Sequence, residues 1–299
     1  MDNGRSKPIL RRRTSRALLL LTLLVGVLLV VLAVLVAWPG REQKGKGRAG
    51  LGPLHVHALG VNPGDDALFI AAHTGLFRLS PGASSAERVG DRYQDTMGFT
   101  VLARDRFLGS GHPDLRDRKP PLLGLIASND SGESWRSVSL LGKADFHVLR
   151  VRGKHVVGYD ASRGRVMASR DGGESWNARH FDGPLVDMVI SPAGPRQLMA
   201  TTPSQLILSR DGGRSWGGLS EATGLLAWPR QERLYLLAPD GRLWHSPDQG
   251  KRWRALGEIG GKPAAFLVSG RQMYAALHDG VIKKSRDGGA SWNLLARPS

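Results

Sequence analysis

From residue 55 to the C-terminus, apolar and polar positions follow one another in short runs, each closed by Gly, Pro, Asn, Asp or Ser. That rhythm predicts short strands joined by tight turns. The first unit runs through His55-Val56-His57-Ala58-Leu59-Gly60-Val61 and turns at Asn62-Pro63-Gly64. It returns through Ala67 to Ala72, turns again at His73-Thr74-Gly75, and runs out from Leu76 to Leu79. Five further units of the same build follow: about Met97 to Leu140, Asp145 to Arg179, Pro184 to Leu219, Gly224 to Leu256 and Pro263 to Leu295. The second of them carries a long insertion from Pro113 to Pro121. Residues 17–38 follow a different pattern, with 22 positions free of charge and dominated by Leu and Val. As a helix such a run spans about 33 Å, enough for a bilayer core of about 30 Å.

The units share an eight-residue pattern of Ser, any, Asp, any, Gly, two of any, then Trp. It occurs at Ser128 to Trp135, Ser169 to Trp176, Ser209 to Trp216, Ser246 to Trp253 and Ser285 to Trp292. Asp130, Asp171, Asp211, Asp248 and Asp287 are separated by 41, 40, 37 and 39 residues, so one supersecondary unit is repeated. In the first unit Ser80-Pro81-Gly82 stands where the box would be. Gly and Asp suit a tight reversal, Gly by taking positive φ and Asp by accepting nearby backbone amides. Trp135, Trp176, Trp216, Trp253 and Trp292 offer apolar plates that can pack between neighbouring units. An active site copied five times around one domain is a poor alternative, so the boxes read as structural.

This pattern resembles the Asp-box, or BNR, repeat of sialidases, sortilin-type receptors and photosystem-assembly factors. The resemblance covers about residues 54 to 299. It implies an all-β fold, a six-bladed β-propeller whose boxes sit on the turn between the third and fourth strands of each blade. Radial stacking leaves only short protected edges, whereas a linear solenoid would need polar capping units at its ends. His55-Val56-His57-Ala58-Leu59-Gly60 and Gly109-Ser110-Gly111-His112-Pro113-Asp114 are also similar to stretches of bacterial BNR-repeat proteins, some described as glycosyl hydrolases. Propellers with these boxes include both enzymes and binding proteins, so the resemblance does not choose between them.

Charge sharpens the N-terminal picture. The net charge is +16, and residues 1–50 supply half of it with ten Lys or Arg against Asp2 and Glu42. Residues 1–16 thus read as a basic cytoplasmic segment, 17–38 as a transmembrane signal anchor and 39–53 as a Gly- and Lys-rich tether. A cleaved signal peptide is the competing reading, but its apolar core is usually about 7–15 residues. Six basic residues before the span against four after it place the N-terminus in the cytoplasm and the propeller outside. The dense charge suits anionic headgroups, and no aromatic and basic interleaving suggests a nucleic-acid platform. The absence of cysteine removes disulfides and thiolate metal sites.

Strand alternation puts the start of each first strand and each second-to-third turn on one face, opposite the boxes. His55 and His57 open the first strand of blade one, and Asp145 with His147 take the matching place in blade three. His73, His112 and His278 fall in second-to-third turns, as do Tyr159 and Asp160 in blade three. Imidazoles and carboxylates together suit a divalent metal, a sugar or a proton transfer. The candidate ligand-binding set is therefore His55, His57, His73, His112, Asp145, His147, Tyr159, Asp160 and His278, with His57, His147 and Asp145 as candidate metal ligands. Polar residues lining a water-filled funnel would give the same pattern. The sialidase family's activity implies a Tyr paired with Glu and an opening Arg-Ile-Pro. That signature is missing, and Tyr93, Tyr159, Tyr235 and Tyr274 have no evident Glu partner in the sequence. The expected function is a membrane-held, extracytoplasmic platform for a protein or carbohydrate ligand, an assembly or sensing factor. The alternative is a sialidase-like glycoside hydrolase using the channel mouth.

Overall fold

The computed structural model describes residues 55–297. The basic segment, the apolar span and the tether expected at 1–53 lie outside the described residues. Among the described residues no helix is long and apolar enough to cross a membrane.

The chain folds into six four-stranded antiparallel sheets, each built from four consecutive strands. Blade one holds β1 (Val56–Val61), β2 (Leu68–Ala72), β3 (Gly75–Leu79) and β4 (Glu87–Arg88). Blade two holds β5 (Asp95–Ala103), β6 (Arg106–His112), β7 (Leu125–Ser128) and β8 (Arg136–Ser139). Blade three holds β9 (Phe146–Arg152), β10 (His155–Asp160), β11 (Arg165–Ser169) and β12 (Asn177–Arg179). Blade four holds β13 (Asp187–Ile190), β14 (Leu198–Thr201), β15 (Leu206–Ser209) and β16 (Gly217–Ser220). Blade five holds β17 (Leu225–Arg230), β18 (Arg233–Leu237), β19 (Arg242–Ser246) and β20 (Arg254–Glu258). Blade six holds β21 (Pro263–Ser269), β22 (Gln272–Leu277), β23 (Ile282–Ser285) and β24 (Asn293–Ala296). The first strands touch in sequence, and β21 returns to β1, so the blades form a closed ring. This is the six-bladed propeller that the repeat spacing predicts.

Burial follows strand position. The second strand β2, Leu-Phe-Ile-Ala-Ala, is buried along its whole length because a blade packs on each of its faces. The outermost strands are short and polar, such as Glu87–Arg88 and Asn177–Arg179, which leaves little edge for another sheet to pair with. Six apolar clusters fill the six seams between blades. Five of these seams take a box tryptophan: Trp135, Trp176, Trp216, Trp253 or Trp292. The seam between blades six and one has none, because blade one has no box; Phe77, Tyr274 and Ile282 fill it. Among the described residues no strand is exchanged between the first and last blades.

The box geometry repeats five times. Each Ser hydroxyl donates to the Asp Oδ1 two residues on, at 2.6–3.0 Å, and accepts the amide of the box Gly at 2.7–2.9 Å. The same Asp Oδ1 accepts the amide four residues on, at 2.9–3.0 Å. Only a backbone held at positive φ can present these donors together, and the box Gly residues lie between +85° and +96°. These donors hold the five box carboxylates below the ordinary carboxylate pKa. The tryptophans are half-buried. Trp176 lies over Phe146 with ring centroids 4.8 Å apart, and its indole N–H reaches Ser139 Oγ and the Gly173 carbonyl.

Candidate functional site

The six first strands line a central cavity of about 300 Å³, with His57, His147, Arg150, Asp187 and Trp228 among its walls. At one end, residues from three consecutive blades form two related groups. His57 comes from β1, His73 from the turn after β2, and Asp95 opens β5 in the next blade. His73 Nδ1 is 2.8 Å from Asp95 Oδ2, and His57 Nε2 is 3.4 Å from Asp95 Oδ1. The second group also bridges two blades, one blade on, but takes its first-strand histidine from the acid's own blade: His112 ends β6, Asp145 immediately precedes β9 and His147 lies within it. His147 Nε2 is 2.8 Å from Asp145 Oδ2, and His112 Nε2 is 3.5 Å from the same oxygen.

The surroundings fix these groups in place. Asp160 is wholly buried and accepts the Asp145 amide, the Ser162 hydroxyl and the Arg165 guanidinium, so it anchors the turn that presents Asp145. The Pro113–Pro121 insertion has a role here too: His112 Nδ1 lies 2.9 Å from the Pro121 carbonyl. A carbonyl only accepts, so that nitrogen carries the hydrogen and Nε2 is left to face Asp145. Burial opposes the charge on Asp95, but the neighbouring His57 and His73 outweigh it and hold the carboxyl below its ordinary pKa.

A third acid marks what is unusual about this pair. Asp187 opens β13, the corresponding place in blade four, and it is saturated. Its oxygens accept Arg150 Nη2 at 2.6 Å, the Met188 amide at 2.7 Å and the Leu226 amide at 2.8 Å. Burial pushes its pKa up, with Arg150 pulling the other way. By contrast, Asp95 Oδ1, Asp145 Oδ1 and His57 Nε2 are buried without a hydrogen-bond partner. Unpaired buried polar atoms are costly, so a cluster of them calls for a reason.

The structure thus gathers His57, His73, His112, Asp145 and His147 at this rim but divides them between two groups. Among the candidate metal ligands, His147 and Asp145 meet, while His57 stands with His73 and Asp95. His55 is exposed beside His73, ring centroids 6.3 Å apart. Tyr159 packs on Phe181, and its hydroxyl points to the Gly183 carbonyl. His278 is exposed in the turn of blade six. Asp95 is the residue sequence reasoning missed. Gln94-Asp95-Thr96 looks like the end of a loop, whereas β5 starts two residues before the expected Met97 and pairs Asp95 with His112. Its equivalence to Asp145 was the available signal.

The tyrosines do not build a sialidase pair at this rim. Tyr235 packs against His245, and Tyr274 donates to Gln272. Arg88 and Arg116 lie over the ring of Tyr93. On the box face, a separate cleft is lined by Arg170, Arg179, Arg196 and Arg214. Burial and the nearby Arg214 and Arg170 lower the pKa of Arg179 there.

No protein-family model matches the chain, and no curated protein does. Solved structures do resemble it. The nidogen/laminin complex aligns at a TM-score of 0.61 and 12% identity, covering 77% of this chain and 93% of that one. YCF48 bound to D1 peptide aligns at 0.51 and 16% identity, covering 81% and 82%. The GH74 xyloglucanase of Xanthomonas campestris aligns at 0.52 and 17% identity; 82% of this chain is covered but only 38% of the xyloglucanase. At such identities these likenesses establish the fold: a six-bladed propeller similar to Asp-box-type propellers.

Proposed function

We propose that this propeller is a binding platform whose His- and Asp-rich rim receives a protein or small ligand, held outside a membrane by the span at 17–38. The observation that carries the reading is the lopsided rim. Blades one to three supply four imidazoles and two carboxylates with buried atoms left unpaired, while the equivalent acid of blade four is fully satisfied. A passive funnel gives no reason for that asymmetry. Two structures with a similar fold are complexes, one with a D1 peptide and one with laminin, which supports a propeller of this build acting by binding. The assembly or sensing role is a finer form of the same reading.

Glycoside hydrolysis is the second reading, favoured by the likeness to the xyloglucanase and by the acids at the rim. Purified protein offered aryl glycosides, sialosides and xyloglucan separates the two. The platform reading expects no turnover with any of them. Turnover abolished by Asp145→Asn would replace it with the enzymatic one.

A further inference from the structure

We propose that the two His–Asp–His groups are two separate binding sites for divalent transition-metal ions. The first spans blades one and two, with His57 Nε2, His73 Nδ1 and Asp95 as donors. The second spans blades two and three, with His112 Nε2, His147 Nε2 and Asp145. The inference rests on the rim reading for its place in the molecule and names the chemistry that the rim takes.

The donor types are right for the purpose: imidazole nitrogen with one carboxylate suits zinc, iron, nickel or copper better than calcium or magnesium, which prefer all-oxygen shells. Spacing agrees as well. In each group the three donor atoms lie within 4.8 Å of one another. Ligands at about 2.0–2.1 Å from a tetrahedral zinc sit about 3.3 Å from each other. The carboxylate-to-imidazole separations are 2.8 and 3.4 Å in the first group and 2.8 and 3.5 Å in the second.

Two further observations suit a cation between these groups. His57 Nε2 and Asp95 Oδ1 are both buried and face each other at 3.4 Å without a hydrogen bond. Asp145, on a side chain only 7% exposed, turns Oδ2 to both imidazoles of its group and leaves Oδ1 unpaired. His112 has its Nδ1–H committed to the Pro121 carbonyl. In the neutral ring, Nε2 then turns a lone pair towards the Asp145 carboxylate, an arrangement that a bound cation relieves as a proton on Nε2 would. A ring N–H given to a backbone carbonyl is also the usual way a metal-bound imidazole is oriented. Asp187, at the equivalent place, has every oxygen satisfied and no imidazole beside it, so the fold by itself does not demand these groups.

Three protein donors leave at least one coordination position open. The partly exposed His73, His112 and His147 place that opening at the channel mouth, where a water or a side chain from a partner could complete the shell.

The test uses the full chain purified without a polyhistidine tag, stripped with a chelator, titrated with Zn²⁺ and passed over gel filtration before elemental analysis. We expect two zinc ions per chain. His57→Ala should leave one, Asp145→Asn should leave one, and the double variant none, with near-UV circular dichroism unchanged. Should His57→Ala fail to fold, His73→Gln removes a donor whose side chain is largely exposed. No zinc retained by the folded wild type, or two ions retained by the double variant, overturns the proposal. Loss of both ions in either single variant would mean a shared site and overturns it too. Partner capture at the rim without zinc would overturn the metal sites alone. Two ions per chain with no partner captured would uphold them and leave the platform reading to fall.

Discussion

The two adjacent glycines of the third-blade box separate backbone strain from packing between blades. Gly172 and Gly173 have φ of +82° and +95°, so alanine at either is conformationally strained. That strain is worth about 1–2 kcal/mol, partly offset by a stiffer unfolded chain. The surroundings differ. A Cβ on Gly172 meets nothing within 4 Å, whereas one on Gly173 would lie 2.1 Å from Leu125 Cδ2 in the preceding blade. Leu125 is fully buried, so overpacking adds roughly 1–3 kcal/mol. Gly172→Ala should therefore cost about 1 kcal/mol and Gly173→Ala about 2–4 kcal/mol. For a domain of this size those costs lower the melting temperature by about 2–4 °C and roughly 5–15 °C. Calorimetry of the compact unit Ala49–Ser299 reads both directly. The Leu125→Ala background should shrink the Gly173 effect and leave that of Gly172 alone. Equal losses for the two glycines, or no coupling to Leu125, would refute the packing of each box against the blade before it.

Other expectations follow from the same contacts. Trp176→Phe removes an indole N–H with two acceptors and should cost about 1 kcal/mol in a urea titration. Trp216→Phe removes an N–H with no partner and should be close to neutral; equal effects would contradict the geometry. The depressed box carboxylates stabilise the fold above their unfolded pKa of about 4, and that contribution is lost as pH falls through the folded values. Arg252 holds Asp248 at about 2, and hydroxyl and amide donors hold Asp130, Asp171, Asp211 and Asp287 low as well. Near-UV circular dichroism should therefore stay flat down to about pH 4 and fall below it, and a transition centred near neutrality would speak against this. Among the described residues the seam of blades six and one has neither a box tryptophan nor an exchanged strand. Hydrogen exchange should be fastest there, in β1 and β22; uniform protection around the ring would be the contrary result.

The repeat was legible because its period is written in residues with no freedom to drift. Ser, Asp, Gly and Trp recur at fixed offsets since one turn geometry needs all four. Blade count followed from the repeat spacing, and the gathering of histidines on one face from strand alternation. The pairing of those histidines was not legible, since it depends on which acid faces them across a blade seam. Asp95 reaches back to His57 and His73 from the next blade, a contact that local pattern does not encode. Likewise Tyr159 and Asp160 share the rim's topology but turn into the protein, because a buried turn needed an acceptor for the Asp145 amide.

The most direct measurement compares the two faces of the ring. The full chain is cross-linked in membranes of its own cell and recovered, and its cross-linked partners are quantified by mass spectrometry. Alongside it run a rim variant, His57→Ala with Asp145→Asn, and a box-face variant, Arg170→Ala with Arg214→Ala. The platform account predicts a partner that is present with the wild type and the box-face variant and lost with the rim variant. A partner that survives loss of the rim and disappears with the box-face arginines would contradict it.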